Sequence, residues 1–296
     1  MGSRLVLQVD GTSRTEAQIA WRAASAEMAA TEAILSRFRQ DSELSRLNAE
    51  AGSGRWRSVD GRLREMLTLA RRAQRQTDGR FDPRILDALE AVGERAGVPY
   101  AEIGELAAGD TRWLQRAGRD RVAVGAPVDS GGLGKGLGLR WALAVAIREV
   151  PEASGVLLDA GGDVVATGRP LDAAAWQVGI EDPGWSDRPL AVVALRDGAL
   201  ATSSTAVRTW TGPDGTRVHH LIDPHSWRPA NSGLQAVTVA HRDPAWAEIW
   251  SKALFIGGAG RIGPEARARG MAAWWVEDDG SFHLTPAAAA MTPWRS

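Results

Sequence analysis

"GVLLDAGGDV" occupies residues 155–164, and its reading decides the fold class. Its first six residues form an apolar run of strand formers, and two glycines and a carboxylate follow. The same texture continues downstream. WQVGIED (176–182), LAVVALRD (190–197), RVHHLID (217–223) and AVTVAH (236–241) are β-rich runs separated by Gly, Asp and Pro. Hairpin turns are expected at PDGT (213–216) and EDDGS (277–281).

Upstream the chain reads as helical. Residues 14–39 carry Ile19, Met28, Leu35 and Phe38 on broadly one side, which predicts a long helix. A second is expected from about Asp60 to Thr77, with Leu63, Met66, Leu67 and Ala70 as its stripe and Gly79 as its stop. Shorter helical pieces follow between Asp87 and Ala117. RVAVGAPV (121–128) reads as a strand that feeds DSGGLGKGLG (129–138), and a buried helix then runs through WALAVAI (141–147). The N-terminal MGSRLVLQVDG alternates as a strand. One more helix, holding AEIWSKALF (247–255), lies between two strand runs. Asp243 is its N-cap, Pro244 suits its first turn, and Gly257 and Gly258 end it. Helices first, then strands with two inserted helices, predict an α+β class rather than regular βαβ alternation. The 296 residues suffice for a sizeable core. We expect one domain over 1–285 and a short Ala-rich tail over 286–296.

The totals exclude several functions. With 35 basic and 36 acidic residues the formal charge is −1, so no global field attracts nucleic acid or anionic lipid. Cysteine is absent, which removes disulfides, thiolate metal sites and cysteine nucleophiles. No run of about 18 apolar residues predicts a membrane span, and no signal sequence is legible. The expected location is cytoplasmic.

Four segments carry more than packing demands. DSGGLGKGLG opens a helix, where free N–H groups and Lys135 suit an anion. It is not a P-loop, since neither Ser nor Thr follows the lysine; a tight turn with an exposed lysine is the plainer reading. HHLIDPHSWRP (219–229) holds three of the five histidines. Strand alternation would send His219 and His220 to opposite faces, which disfavours zinc. A neutral imidazole there suits a general base, and hydrogen-bonded structural histidines are the alternative. ALATSSTAVR (199–208) offers hydroxyls at Thr202, Ser203 and Ser204, or simply ends a strand. LLDAGGDV (157–164) is a ligand-facing turn or a bulge. A further oddity is that only Lys135 and Lys252 among the 35 basic residues are lysine.

In their order, DSELSRLN (41–48), DGRFDP (78–83), DSGGLGKG, LLDAGGDV, WQVGIEDP (176–183), ATSS, HHLIDP and AEIWSKALFIGG resemble the ApbE family of FAD:protein FMN transferases, from about residue 1 to 280. The resemblance implies an α+β domain, related to the T-fold, with antiparallel sheets and packed helices. It implies binding of FAD and use of a divalent metal, usually Mg2+. FMN is then attached by a phosphodiester bond to Thr or Ser of an acceptor protein, with release of AMP. It assigns His220 as base with Asp223 nearby, and Lys135 as a source of positive charge. Thr202 and Ser203 are assigned to the flavin. Gly131, Gly132, Gly134 and Lys135 match the phosphate-side loop, Gly161, Gly162 and Asp163 another ligand-facing turn, and Glu43 a segment bordering the flavin. Many members are exported lipoproteins, and the missing lipobox cysteine adds to the cytoplasmic expectation.

The departures from that pattern are specific. Glu248 and Lys252 stand where an Asp and a Thr bind the metal, together with a backbone carbonyl from the glycine loop, placed here at Gly134. Arg140 replaces an aspartate, Ser204 a glycine, and Ser226–Trp227 a Thr-Gly pair. Glu248 and Lys252 then form either an exposed i,i+4 ion pair or a unit in which Lys252 takes the metal's place. Two other functions stay open at this point: FAD pyrophosphate hydrolysis, and FAD binding without catalysis.

Overall fold

The computed structural model describes residues 4–94, 113–184, 188–211 and 217–296. In chain order it begins with β1 (Leu5–Asp10), α1 (Arg14–Leu35), α2 (Glu43–Asn48), β2 (Arg57–Ser58), α3 (Gly61–Gln76), α4 (Leu86–Leu89), β3 (Leu114–Ala117) and β4 (Arg121–Val124). There follow α5 (Gly134–Glu149), β5 (Gly155–Ala160), β6 (Asp163–Gly168), β7 (Trp176–Ile180), β8 (Ala191–Leu195) and β9 (Gly198–Ser204). Short strands β10 (Thr209–Thr211), β11 (Arg217–His219), β12 (Ile222–Asp223) and β13 (Arg228–Pro229) come next. The chain closes with β14 (Leu234–His241), α6 (Pro244–Gly257), α7 (Ala259–Ala268), β15 (Ala272–Glu277), β16 (Phe282–Leu284), α8 (Pro286–Ala289) and β17 (Trp294–Arg295). Two compact units interleave along this order. The first is Met1–Ala29, Lys135–Ala206 and Asn231–Ser296; the second is Ala30–Gly134 and Val207–Ala230.

The first unit is built on a seven-stranded antiparallel sheet in the order β1-β5-β6-β9-β14-β15-β16. Side chains alternate across it, and both faces are covered, which is why Val156, Leu157 and Leu158 are apolar in succession. Val156, Leu158 and Ala160 pack with Ala20 and Ala24 of α1 and with Leu139, Ala142 and Ala146 of α5. Leu157, Val164, Leu200 and Trp274 pack on the opposite side with Trp176, Ile180, Ala191 and Val193 of the small β17-β8-β7 sheet. Burying each such large side chain is worth about 1.5–3 kcal/mol. The segment set apart as a tail belongs to this core: Thr285 caps α8, Ala288 is fully buried, and Trp294 pairs with Val192 on β8.

In the second unit α3 is capped by Asp60 and buries Leu63, Met66, Leu67 and Ala70, the expected stripe, together with Ala73. A three-stranded β2-β4-β3 sheet and the pairs β10-β11 and β12-β13 complete its strands. Ala88, Leu89, Ala91 and Val92 form a core with Ile222 and Trp227.

The EDDGS hairpin is present, with Gly280 at φ 85 and the Glu277 N–H donating to the Ser281 carbonyl at 3.0 Å. The bulge reading of LLDAGGDV gives way to a two-residue hairpin. Ala160 faces Asp163 across it, and Gly161 and Gly162 have φ of 64 and 89, a conformation open to glycine. Helix α1 stops at Leu35, and its buried positions are Ala20, Ala24, Thr31 and Leu35, while Ile19 and Phe38 are exposed. At Ala20 and Ala24, close approach to α5 and β5 selects small side chains. RVHHLID is broken, since β11 ends at His219 and β12 begins at Ile222, so alternation does not orient His220. PDGT and residues 95–112 of the Asp87–Ala117 stretch lie outside the described residues.

Helices α5 and α6 meet at their N-termini. A Cβ on Gly136 would stand 2.6 Å from both Ala245 Cα and the Pro244 carbonyl oxygen, backbone atoms with no freedom to yield. Gly136→Ala should therefore cost roughly 1–3 kcal/mol. Gly260→Ala, where nothing lies within 4 Å, should be neutral or stabilising by about 0.4–1 kcal/mol. Urea unfolding of the two variants beside the parent checks both signs.

Candidate active site

Four charged side chains from three elements converge in the first unit. Lys135 lies in the first turn of α5, and its Nζ is 2.7 Å from Asp163 Oδ2, at the start of β6. Asp163 Oδ1 accepts the Thr202 N–H at 3.1 Å, which ties β6 to the end of β9. On α6, Glu248 Oε2 accepts the Gly136 N–H at 2.9 Å, and Oε1 lies 3.3 Å from the Lys252 ammonium. The lysine and the carboxylate read from separate motifs thus form an ion pair, and both lysines of the chain act on Glu248.

The exposed-pair reading of Glu248 and Lys252 is overturned. Helix α6 lies against β9 and β14, and Glu248 is 1% exposed. Ser251 and Phe255 of the same helix are buried too. Lys252 keeps 19% of its side chain exposed, so its ammonium sits at the rim of this buried carboxylate. Arg140 on α5 pairs with Asp243 Oδ2 at 2.7 Å, and the other oxygen of Asp243 caps α6 through the Ala245 N–H.

Hydroxyls continue the polar array. Thr202 Oγ1 is 2.8 Å from Thr238 Oγ1, directly across the β9–β14 ladder. Ser203 Oγ is 2.8 Å from Ser251 Oγ, which in turn donates to the Glu248 carbonyl at 3.0 Å. Thr202 is exposed and Ser203 buried, so the two hydroxyls do different work. Thr238 and Ser251 were missed in the sequence. The signal for Ser251 was its place three positions after Glu248, on the same helical side; Thr238 had none. Gly161 and Gly162 are exposed at the turn that leads into Asp163, and the Gly162 N–H donates to Asp159 Oδ1 at 2.8 Å.

The second unit carries the remaining expected residues. The Gly131 N–H donates to Asp129 Oδ2 at 2.8 Å, Gly132 lies half-buried in the same turn, and the Gly134 N–H donates to the Ser130 carbonyl at 2.7 Å. Glu43 is half-buried and accepts the Asp60 N–H with both oxygens; burial pushes its carboxyl up against that bond. His220 Nδ1 lies 3.4 Å from the Arg208 carbonyl oxygen. The Asp223 carboxylate is taken up in its own turn, where it accepts the His225 N–H at 2.9 Å, faces His225 Nδ1 at 3.1 Å and accepts from Ser226 Oγ at 3.3 Å. His219 serves the fold: its Nδ1 accepts the Leu221 N–H and its Nε2 faces the Ala230 carbonyl.

Burial holds the Glu248 carboxyl above the ordinary value of 4.5, against the pull of Lys252, Lys135 and the Gly136 N–H, while Asp163 adds to the rise. The folded chain then binds this proton more tightly than the unfolded chain. Stability therefore falls as pH rises from about 4.5 towards the elevated value, and is flat on either side. Glu248→Gln removes this titration. Urea midpoints measured across that window should shift in favour of the glutamine variant as pH rises, whatever the offset between the two proteins at low pH. A constant offset would contradict the elevated carboxyl.

Comparison with known proteins bears on the family and the fold. The ApbE family model matches residues 1–275. The FAD:protein FMN transferase of Treponema pallidum is 32% identical over 251 residues, 76% of this chain and 67% of that protein. The FAD:protein FMN transferase of Klebsiella pneumoniae is 26% identical over 303 residues, 96% of this chain and 84% of that protein. The crystal structure of the ApbE protein of Thermotoga maritima superposes with a TM-score of 0.86 at 25% identity, covering 98% of this chain and 96% of that one. By coverage and by identity, the chain belongs to the ApbE family.

Proposed function

We propose that this protein transfers the FMN portion of FAD to a serine or threonine hydroxyl of an acceptor protein. The relatives' reaction supports this reading, and so does the meeting of Lys135, Asp163 and Thr202 at the start of α5. In the transfer the acceptor oxygen attacks the FMN-side phosphorus. The bond to the bridging oxygen breaks, and AMP leaves with that oxygen. The hydroxyl proton goes to His220. Its Nδ1 faces a carbonyl oxygen, which favours the tautomer with the basic lone pair on Nε2. Lys135 opposes the negative charge that develops on the phosphate, and the N–H groups of the α5 first turn favour the same charge. Gly131, Gly132 and Gly134 let the backbone come close to the phosphates, while Thr202 and Glu43 serve the flavin and buried Ser203, bonded to Ser251, braces the strand that carries Thr202.

The residues at the expected metal position do not fit a divalent ion. Magnesium requires several hard oxygen ligands. Here one oxygen of Glu248 is taken by the Gly136 N–H, and the other faces an ammonium. No step above is routed through a metal. Among the described residues, no helix is long and apolar enough to cross a membrane.

Nucleotide products test the transfer. Incubated with FAD and a cell extract as the acceptor pool, the protein should release AMP and leave an extract polypeptide with in-gel flavin fluorescence. His220→Ala should lower AMP release by about 10²–10⁴-fold while changing FAD affinity little. Free FMN and AMP without a labelled polypeptide would make the protein a pyrophosphatase, and FAD that stays intact throughout would make it a binding protein.

A further inference from the structure

We infer that Lys252 is the resident cation of this site: its ammonium, anchored on Glu248, stands in for a divalent metal and neutralises the FAD pyrophosphate. This rests on the FAD reading above. Lys252 and Lys135 are the chain's two lysines, and they come to one cluster from positions 117 residues apart (252 − 135). An arginine would serve any exposed pair here, as it serves elsewhere in the chain. A planar guanidinium does not fit where a small, compact charge must sit, and an ammonium does.

The surroundings support the assignment. Glu248 is buried within a well-packed helix, so its carboxylate requires donors on both oxygens. Gly136 supplies one from the backbone and Lys252 the other at 3.3 Å. An ammonium has three N–H donors. Glu248 engages one, and with 19% of the Lys252 side chain exposed the other two are placed to serve a docked phosphate. A metal ion beside the same oxygen would stand against a like charge and be repelled. Asp163 and Glu248 balance the two lysines, and anchor both ammonium groups in place beside the first turn of α5.

FAD and riboflavin binding, followed by flavin fluorescence in EDTA and in excess Mg2+, test the inference. The parent protein should bind FAD equally in both buffers, within about twofold. Lys252→Ser should lose about tenfold or more in FAD affinity in EDTA, as expected for one charged hydrogen bond, and bind riboflavin unchanged. The freed Glu248 oxygen and the serine hydroxyl are hard donors, so Mg2+ should restore the loss. A parent that requires Mg2+ for FAD, or a serine variant as tight as the parent in EDTA, would overturn the assignment. A loss that Mg2+ leaves unrestored would overturn the stand-in role and make Lys252 a ligand contact only. If Lys252→Ser melts early, the neutral pair Glu248→Gln/Lys252→Gln replaces it. That variant should bind FAD more weakly than the parent and ignore Mg2+; parental affinity would overturn the proposal. A parent that binds neither flavin in either buffer refutes instead the FAD reading beneath it.

Discussion

The hydrogen bond from the Gly136 N–H to Glu248 Oε2 is the constraint on which the site depends. It joins the first turn of α5 to the middle of α6, and it forms only because residue 136 has no Cβ to hold the helices apart. A buried carboxylate without partners is costly enough to unfold a marginal domain or to stay protonated. Glu248 therefore fixes where α5 begins, and with it the direction of the N–H groups and of Lys135. Arg140 and Asp243 form a second tie between the same two helices, at the cap of α6.

From that joint the polar array extends through the sheet rather than along its surface. Thr202 sits opposite Thr238 in the β9–β14 register, and Ser203 reaches Ser251 on α6, which closes back on the Glu248 carbonyl. Ser203, Thr238, Glu248 and Ser251 are all buried, and each has a partner. That is the condition on which a polar group is tolerated in a core. The apolar cover on both faces of the sheet keeps these strands in one register. A slip of a single residue would send Thr202 and Ser203 to each other's faces.

What the sequence disclosed follows from which forces act locally. GVLLDA, the Asp243 cap and the α3 stripe were legible because periodicity and capping are properties of neighbouring residues. The inner face of α1 was read in part: Leu35 is buried and Met28 packs against the core, but Ile19 and Phe38 are exposed. Hydrophobic pattern favours Ile19 and Phe38, whereas a tight helix–sheet contact selects Ala20 and Ala24. The break in RVHHLID was likewise invisible, since its apolar pattern runs through a point where the chain leaves the ladder. For the site, each motif could be found but not its pairing. Lys135 and Asp163 belong to different motifs, and nothing in either string names the other. Glu248 looked exposed because a helical wheel assumes one wet side, and α6 is covered nearly all round.

The departures from the family pattern divide by what they change. At Trp227, where the resemblance has a glycine, the backbone adopts a left-handed conformation with φ 59, and its N–H donates to the Asp223 carbonyl at 2.7 Å. Such a conformation costs a bulky residue roughly 1–3 kcal/mol. Packing the indole with Ala88, Val92 and Ile222 offsets a cost of that size. The turn that presents Asp223 and His225 is thus formed with a different side chain and the geometry of glycine. Glu248 and Lys252 are the opposite case. There the helix and its cap are ordinary, and what differs is charge: a carboxylate one methylene longer, and an ammonium where a neutral donor would leave room for an ion. A substitution of the first kind keeps the backbone of the turn as it was. One of the second kind, on the assignment of Lys252 proposed above, changes what the site must take from solution.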